Sequence, residues 1–127
     1  MQPLAIVTIN NQRSTRVEIH AYNAIYDAVG VTSERLEEWH RLYGYDSLGV
    51  GEGGLMLAPD YPVFSKVIDM FVDPIDLATN EVEQLILECA QAELRTEDEV
   101  ARRELKEIRG LAVTAIRQNA VLRFGHP

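Results

Sequence analysis

Two consecutive stretches of helical period fill the chain from 80 to about 119, and nothing else in it restricts the fold as tightly. In the first, Val82, Leu85, Ile86 and Cys89 recur at three- and four-residue steps. In the second, Ala101, Leu105, Ile108, Ala112 and Ala115 do the same. Each stripe must be covered, because a helix gains most of its stability from burying one face. Asn80 with Glu83, and Thr96 with Glu99, have the spacing of capping boxes that satisfy unpaired backbone N–H groups. Glu99 and Arg103 are placed for a helical ion pair. A gap of two or three residues between the helices makes them an antiparallel hairpin.

The N-terminal half has a different period. Residues 4–9 (LAIVTI) and 15–19, with Val17 and Ile19 on one side, read as a β-hairpin across the polar NNQRS. Ala21, Ile25 and Ala28 then share a helical face, and Gly30 stands where a left-handed helix stop belongs. Thr32 or Ser33 caps a second helix carrying Leu36, Trp39, Leu42 and Tyr43 and closed by Gly44. The GVGEGG run at 49–54 reads as a loop or hairpin tip between the apolar pieces SLGV and LMLA. Pro62 opens a helix in which Phe64, Val67, Ile68 and Phe71 share a face, ending before Asp73-Pro74; VIDMFV also fits a strand. Residues 121–124 return as a short strand beside the N-terminal hairpin.

These elements predict one α+β domain over 1–127. It has a small, mainly antiparallel sheet, built from the N-terminal hairpin and the segments flanking the glycine run. About four helices cover it, with the C-terminal helical hairpin as a main core element. A length of 127 residues suits one hydrophobic core without disulfides or metal. The lone Cys89 has no partner in the chain, and MQPLAIVTIN lacks the basic start and long apolar run of a signal or membrane segment. A cytoplasmic protein with no membrane contact is expected.

Charge carries the functional information. Between positions 18 and 95 there are 15 acidic side chains against 4 basic ones, and the whole chain carries a net charge of -8. Such a field repels nucleic acid and draws cationic partners. Tyr22, Tyr26, Trp39, Tyr43, Tyr45 and Tyr61 are interspersed among these acids. Aromatics rimmed by carboxylates suit the binding of a basic protein, since the rings supply contact area while the acids steer approach.

Residues 27–44 (DAVGVTSERLEEWHRLYG) resemble the turn and second helix of helix-turn-helix DNA-binding modules. That resemblance implies contacts from Arg35, His40 and Arg41. It departs at Glu34, Glu37 and Glu38, which face phosphate with the wrong sign, and at Tyr26, where close packing calls for a small residue. GVGEGG lacks the Lys-Ser/Thr sequel of a phosphate loop and carries Glu52, which repels phosphate. Glu37 and His40 lie one helical turn apart, as two metal ligands could, with His20 or Asp27 to complete the set, yet no second paired motif supports them. Cys89 sits on an apolar stripe, where a thiol is inert. No serine lies in a nucleophile elbow. The expectation is a non-enzymatic acidic binding protein without cofactor or metal, of the immunity or antitoxin kind, that masks a basic toxin or nuclease. Its contact residues are Glu34, Glu37, Glu38, Trp39, Tyr43, Tyr45 and Glu52. The alternative is a helix-turn-helix transcriptional regulator using 27–44, as a homodimer through the C-terminal helices.

Overall fold

A computed structural model describes residues 5–10, 12–44, 49–67 and 74–125. Strand β1 (Ala5–Ile9) turns through Asn10 into β2 (Gln12–Ile19). Asn10 takes φ 49, the left-handed conformation that tight hairpins need and asparagine tolerates. Helices α1 (Tyr22–Ala28) and α2 (Ser33–Tyr43) follow, then a 3-10 turn over Glu52–Gly54 and helix α3 (Pro62–Val67). Strand β3 (Ile75–Leu77) leads into the long helices α4 (Thr79–Arg95) and α5 (Glu99–Arg117), and β4 (Leu122–Gly125) closes the described chain.

The four strands form one antiparallel sheet in the order β2-β1-β4-β3. This is an α+β fold with a C-terminal helical hairpin, as the sequence indicates. Period-two alternation turns Ala5, Val7 and Ile9 of β1 inward, beside Val17, Ile19, Leu122 and Phe124, all at most 6% exposed. Their cross-strand partners obey the same alternation: Val7 faces Val17 and Phe124, while Thr8 faces Arg16 and Arg123 on the other side. Asn10 extends the pairing of the central strands, tying the end of β1 to the start of β4: its N–H donates to the Val121 carbonyl (2.8 Å) and its Oδ1 accepts from the Val121 N–H (2.9 Å).

Four local expectations are corrected. The segments flanking the glycine run do not join the sheet; they meet each other in a single bridge, Val50 to Met56, and the fourth strand is the three-residue β3. Helix α4 starts at Thr79, not after an Asn80 cap, because Glu81 Oε1 reaches back to the Ala78 N–H (2.9 Å). Helix α5 is capped by Asp98, whose carboxylate accepts from the Ala101 N–H (2.9 Å). A charged acceptor at a helix start outcompetes the Thr96 hydroxyl. Arg103 pairs forward with Glu107 (3.5 Å) instead of back with Glu99. Ile68 and Phe71 lie outside the described residues.

The apolar stripes of the hairpin are buried as expected, Ala101, Leu105, Ile108 and Ala112 completely, except that Ile86 is only partly covered. Arg109 clamps the two helices with a bidentate pair to Glu93 (2.7 and 3.0 Å). Tyr61 is also fully buried, edge-on to Phe64 with centroids 6.4 Å apart, but its hydroxyl has no hydrogen-bond partner. A desolvated, unbonded hydroxyl costs stability. Tyr61→Phe is therefore expected to leave the urea midpoint unchanged or raise it, by up to about 1 kcal/mol. A loss of that size instead would show that the hydroxyl is bonded in solution.

Candidate functional site

Helix α1 and helix α2 meet at an elbow built by local chemistry. Gly30 takes φ +83, which only glycine adopts without strain, and the Val31 N–H returns to the Tyr26 carbonyl at 2.8 Å. Val29 and Val31 plug the elbow from inside. Thr32 Oγ1 then accepts from the Arg35 N–H (3.1 Å) and starts α2. Tyr26, which departs from the small residue of DNA-binding elbows, is 8% exposed and packs edge-on against Tyr22 with centroids 5.9 Å apart.

The expected contact residues divide along α2. Glu34, Glu37 and Glu38 point outward and are exposed. Trp39 is buried at 3% exposure and stacks on the half-open Tyr43, their centroids 4.5 Å apart. Trp39 is thus a floor beneath the surface, with Tyr43 as its rim. Leu42, placed on the helix's apolar pattern, is 60% exposed, because the stripe it extends runs past the end of the core. Tyr45 and the Glu52 side chain lie outside the described residues.

Against this helix sits the glycine hairpin, which is packed. Its N–H and carbonyl groups bond across it, Gly51 to Leu55 (2.7 Å) and Leu57 to Gly49 (2.8 Å). A Cβ on Gly49 would stand 1.9 Å from the Ser65 carbonyl oxygen, so only glycine fits between hairpin and α3. A Cβ on Gly51 would stand 3.3 Å from the Tyr43 ring and 3.4 Å from Trp39. Arg35 staples the far side: its guanidinium donates to the carbonyls of Met56 (3.0 Å) and Leu57 (3.3 Å) and lies 5.6 Å from the Trp39 ring. The result is a set of exposed apolar side chains, Leu42, Tyr43, Val50 and Leu55, on a locked base beside three carboxylates.

Two further carboxylates escaped sequence reasoning. Glu88 and Glu104 are 1% and 2% exposed. Glu88 accepts from the Val63 and Phe64 N–H groups (3.0 to 3.1 Å) at the start of α3. Glu104 accepts from the His20 and Ala21 N–H groups (2.9 to 3.1 Å) just before α1. Each long helix thus supplies a remote cap to a short one, occupying donors that have no partner within the short helix. The signal was present: each glutamate interrupts an apolar stripe, Glu88 between Leu85 and Ala92, Glu104 between Ala101 and Ile108.

Glu104 also borders an open cavity of about 290 Å³ with Arg16, Glu18, His20, Arg103 and Glu107. Its charges are matched among themselves, Arg16 with Glu18 (2.9 Å) and Arg103 with Glu107 (3.5 Å), and the His20 ring lies 3.4 Å from Glu18. Among the described residues no three histidine, cysteine or carboxylate side chains converge as metal ligands. Burial, reinforced by Glu93 and Glu88, pushes the Cys89 thiol far above its usual range, so it stays protonated and unreactive. Ser65 is buried and spends its hydroxyl on both backbone groups of Ala58 (2.7 and 2.9 Å). No helix among the described residues is long and apolar enough to cross a membrane. No protein-family model matches the chain, and it shows no significant similarity to a curated protein or to a solved structure.

Proposed function

We propose that this chain is a non-enzymatic, cytoplasmic acidic binding protein of the immunity or antitoxin kind, which covers a basic protein such as a toxin or nuclease with α2 and the glycine hairpin. One observation carries the proposal: Leu42, Tyr43, Val50 and Leu55 are 60, 37, 40 and 56% exposed on a rigid base, next to outward-facing Glu34, Glu37 and Glu38. Apolar contact area bordered by one sign of charge is the make-up of a protein interface with an oppositely charged partner. The alternative, a helix-turn-helix regulator using 27–44, has less support: Arg35, the first cation of α2, is committed to Met56 and Leu57. Carboxylates occupy the outer face that would meet phosphates.

The test is co-expression with any basic protein that a neighbouring gene encodes, followed by calorimetry of the purified pair. Reversing Glu34, Glu37 and Glu38 to lysine is expected to weaken binding roughly 100-fold at low salt. The gap should narrow as salt screens the charges. Affinity indifferent to both reversal and salt would refute the proposal. So would retardation of the chain's own upstream DNA that disappears with Arg41→Ala.

A further inference from the structure

Strand β2 has β1 on one side and, among the described residues, no strand on the other, because it is an outer strand of the order β2-β1-β4-β3. The direction of its backbone groups follows from its neighbours. The Asn10 N–H points to β4, where the Val121 carbonyl accepts it (2.8 Å). By alternation along β1, Val7 and Ala5 turn their N–H and carbonyl groups to their β2 partners Val17 and Ile19, so Arg16 and Glu18 turn theirs away, to the outer edge. His20, next in that series, marks where the edge stops: its N–H donates to the Glu104 carboxylate (3.0 and 3.1 Å). At the other end the pairing jumps from Thr8–Arg16 to Ile9–Gln12, a bulge that takes residues 13–15 out of the ladder. The regular edge is therefore Arg16 to Ile19. Helix α5 leaves it open, since Arg16, Glu18 and His20 face Arg103, Glu104 and Glu107 across the cavity of about 290 Å³.

We propose that this edge pairs with the same edge of a second copy, antiparallel about a two-fold axis at Val17, joining two four-stranded sheets into one. Charge selects the register. With the Arg16 and Glu18 groups turned outward, three antiparallel registers bring them together. One sets Arg16 against Arg16 and another sets Glu18 against Glu18, both like-charge contacts. The third sets Arg16 of each copy against Glu18 of the other, twice, with backbone hydrogen bonds between the same residues. The axis stands perpendicular to the sheet, so Val17 meets Val17 on the apolar face and both α5 helices stay on that side. Charges of one sign on an edge ward off a second strand, but here one of each sign, equally spaced from Val17, makes the edge complementary to itself. The Arg16–Glu18 pair within each chain (2.9 Å) is exchanged for two between chains. The other charges bordering the edge have their own contacts: Arg103 with Glu107 (3.5 Å), Glu104 with the His20 and Ala21 N–H groups (2.9 to 3.1 Å), and the His20 ring beside Glu18 (3.4 Å). The edge shares no residue with the α2 surface and stands whether or not that surface binds a partner.

The test is sedimentation equilibrium of the full chain at about 0.15 M salt, with protein up to about 1 mM. At that salt the repulsion between two chains of net charge -8 is screened beyond about 8 Å, whereas side chains in contact still act on each other. Wild type is expected to approach twice the monomer mass as concentration rises, with amide exchange at Arg16 and Glu18 slowing in step. Arg16→Glu and Glu18→Arg should each weaken self-association about tenfold or more, because each sets like charges opposite at both contacts. Mixed in equal amounts, these two variants should form a heterodimer as tight as the wild-type dimer, a result that unfolded protein could not give. The double exchange, Arg16→Glu with Glu18→Arg, should restore the homodimer. Two variants that fail to associate with each other would overturn the proposal. A wild-type monomer at every concentration would overturn it too, leaving the edge to an extended segment of another protein. So would a dimer indifferent to both substitutions and dissolved by Leu94→Ser, which would place the contact on the exposed face of α4.

Discussion

Glu104→Ala is expected to remove about 3 to 5 kcal/mol of folding stability, among the largest losses any single side chain here can cause. Two effects add. The His20 and Ala21 N–H groups lose the carboxylate that accepts both (2.9 to 3.1 Å), and no element of α1 can replace it. The side chain is also 2% exposed, so truncation leaves a hole where β2, α1 and α5 meet. Because α1 carries the elbow that aims α2, the damage should spread. Amide exchange in 22–43 is expected to speed up more than exchange in α4, measured by hydrogen exchange with urea unfolding for the total. Glu104→Gln keeps one acceptor oxygen in place and should cost only about 1 kcal/mol. Equal losses for the two variants would show that charge, not the cap, holds α1 to the hairpin.

The sequence made the scaffold legible because its signals are periodic. Stripes of Val82, Leu85 and Cys89 and of Ala101, Leu105 and Ile108 need only spacing to be recognised, and all are buried. The β1–β2 hairpin and the return of β4 announce themselves by β-branched runs. Strand β3 does not: three residues hold too little pattern, and what fixes it is its distant pairing with β4, where Leu77 lies against Leu122 and Asp76 against Arg123. The candidate site was half legible for the same reason. Counting carboxylates located Glu34, Glu37 and Glu38 on one helix, but nothing local says that Trp39 goes under the surface while Leu42 stays on it. That division depends on the glycine hairpin folding back onto α2, and on Arg35 finding carbonyls more than twenty residues away. Buried carboxylates were missed because an acid is expected in water unless something pairs it, and here the partners are backbone N–H groups of remote helices.

Glu88 should separate from Glu104 by its response to pH. Glu88→Ala is expected to cost about 3 to 5 kcal/mol by stranding the Val63 and Phe64 N–H groups and emptying a fully buried position. Glu88→Gln should match or exceed the wild type at neutral pH. Burial holds the Glu88 carboxyl above the ordinary carboxylate range, against the hydrogen bonds from Phe64 and Val63 that favour its charge. A group whose pKa is raised by folding adds stability when protonated. That contribution is complete below the unfolded value, near 4.3, and is lost as pH climbs through the raised folded value. Wild type therefore gains on the glutamine variant as pH falls, and the variant's advantage should be widest at neutral pH and gone by about pH 4. Urea titrations of both proteins across that range check the sign. An advantage that grew on acidification would mean that the ionised carboxylate stabilises α3, and that desolvation is the lesser effect at this site. Whichever sign emerges, the consequence reaches the candidate site. Helix α3 is the wall behind Gly49, where Ser65 leaves no room for a side chain, so a loosened α3 frees the hairpin that presents Val50 and Leu55. Loss of partner binding in Glu88→Ala, with binding kept in Glu88→Gln, is the expected signature of that linkage.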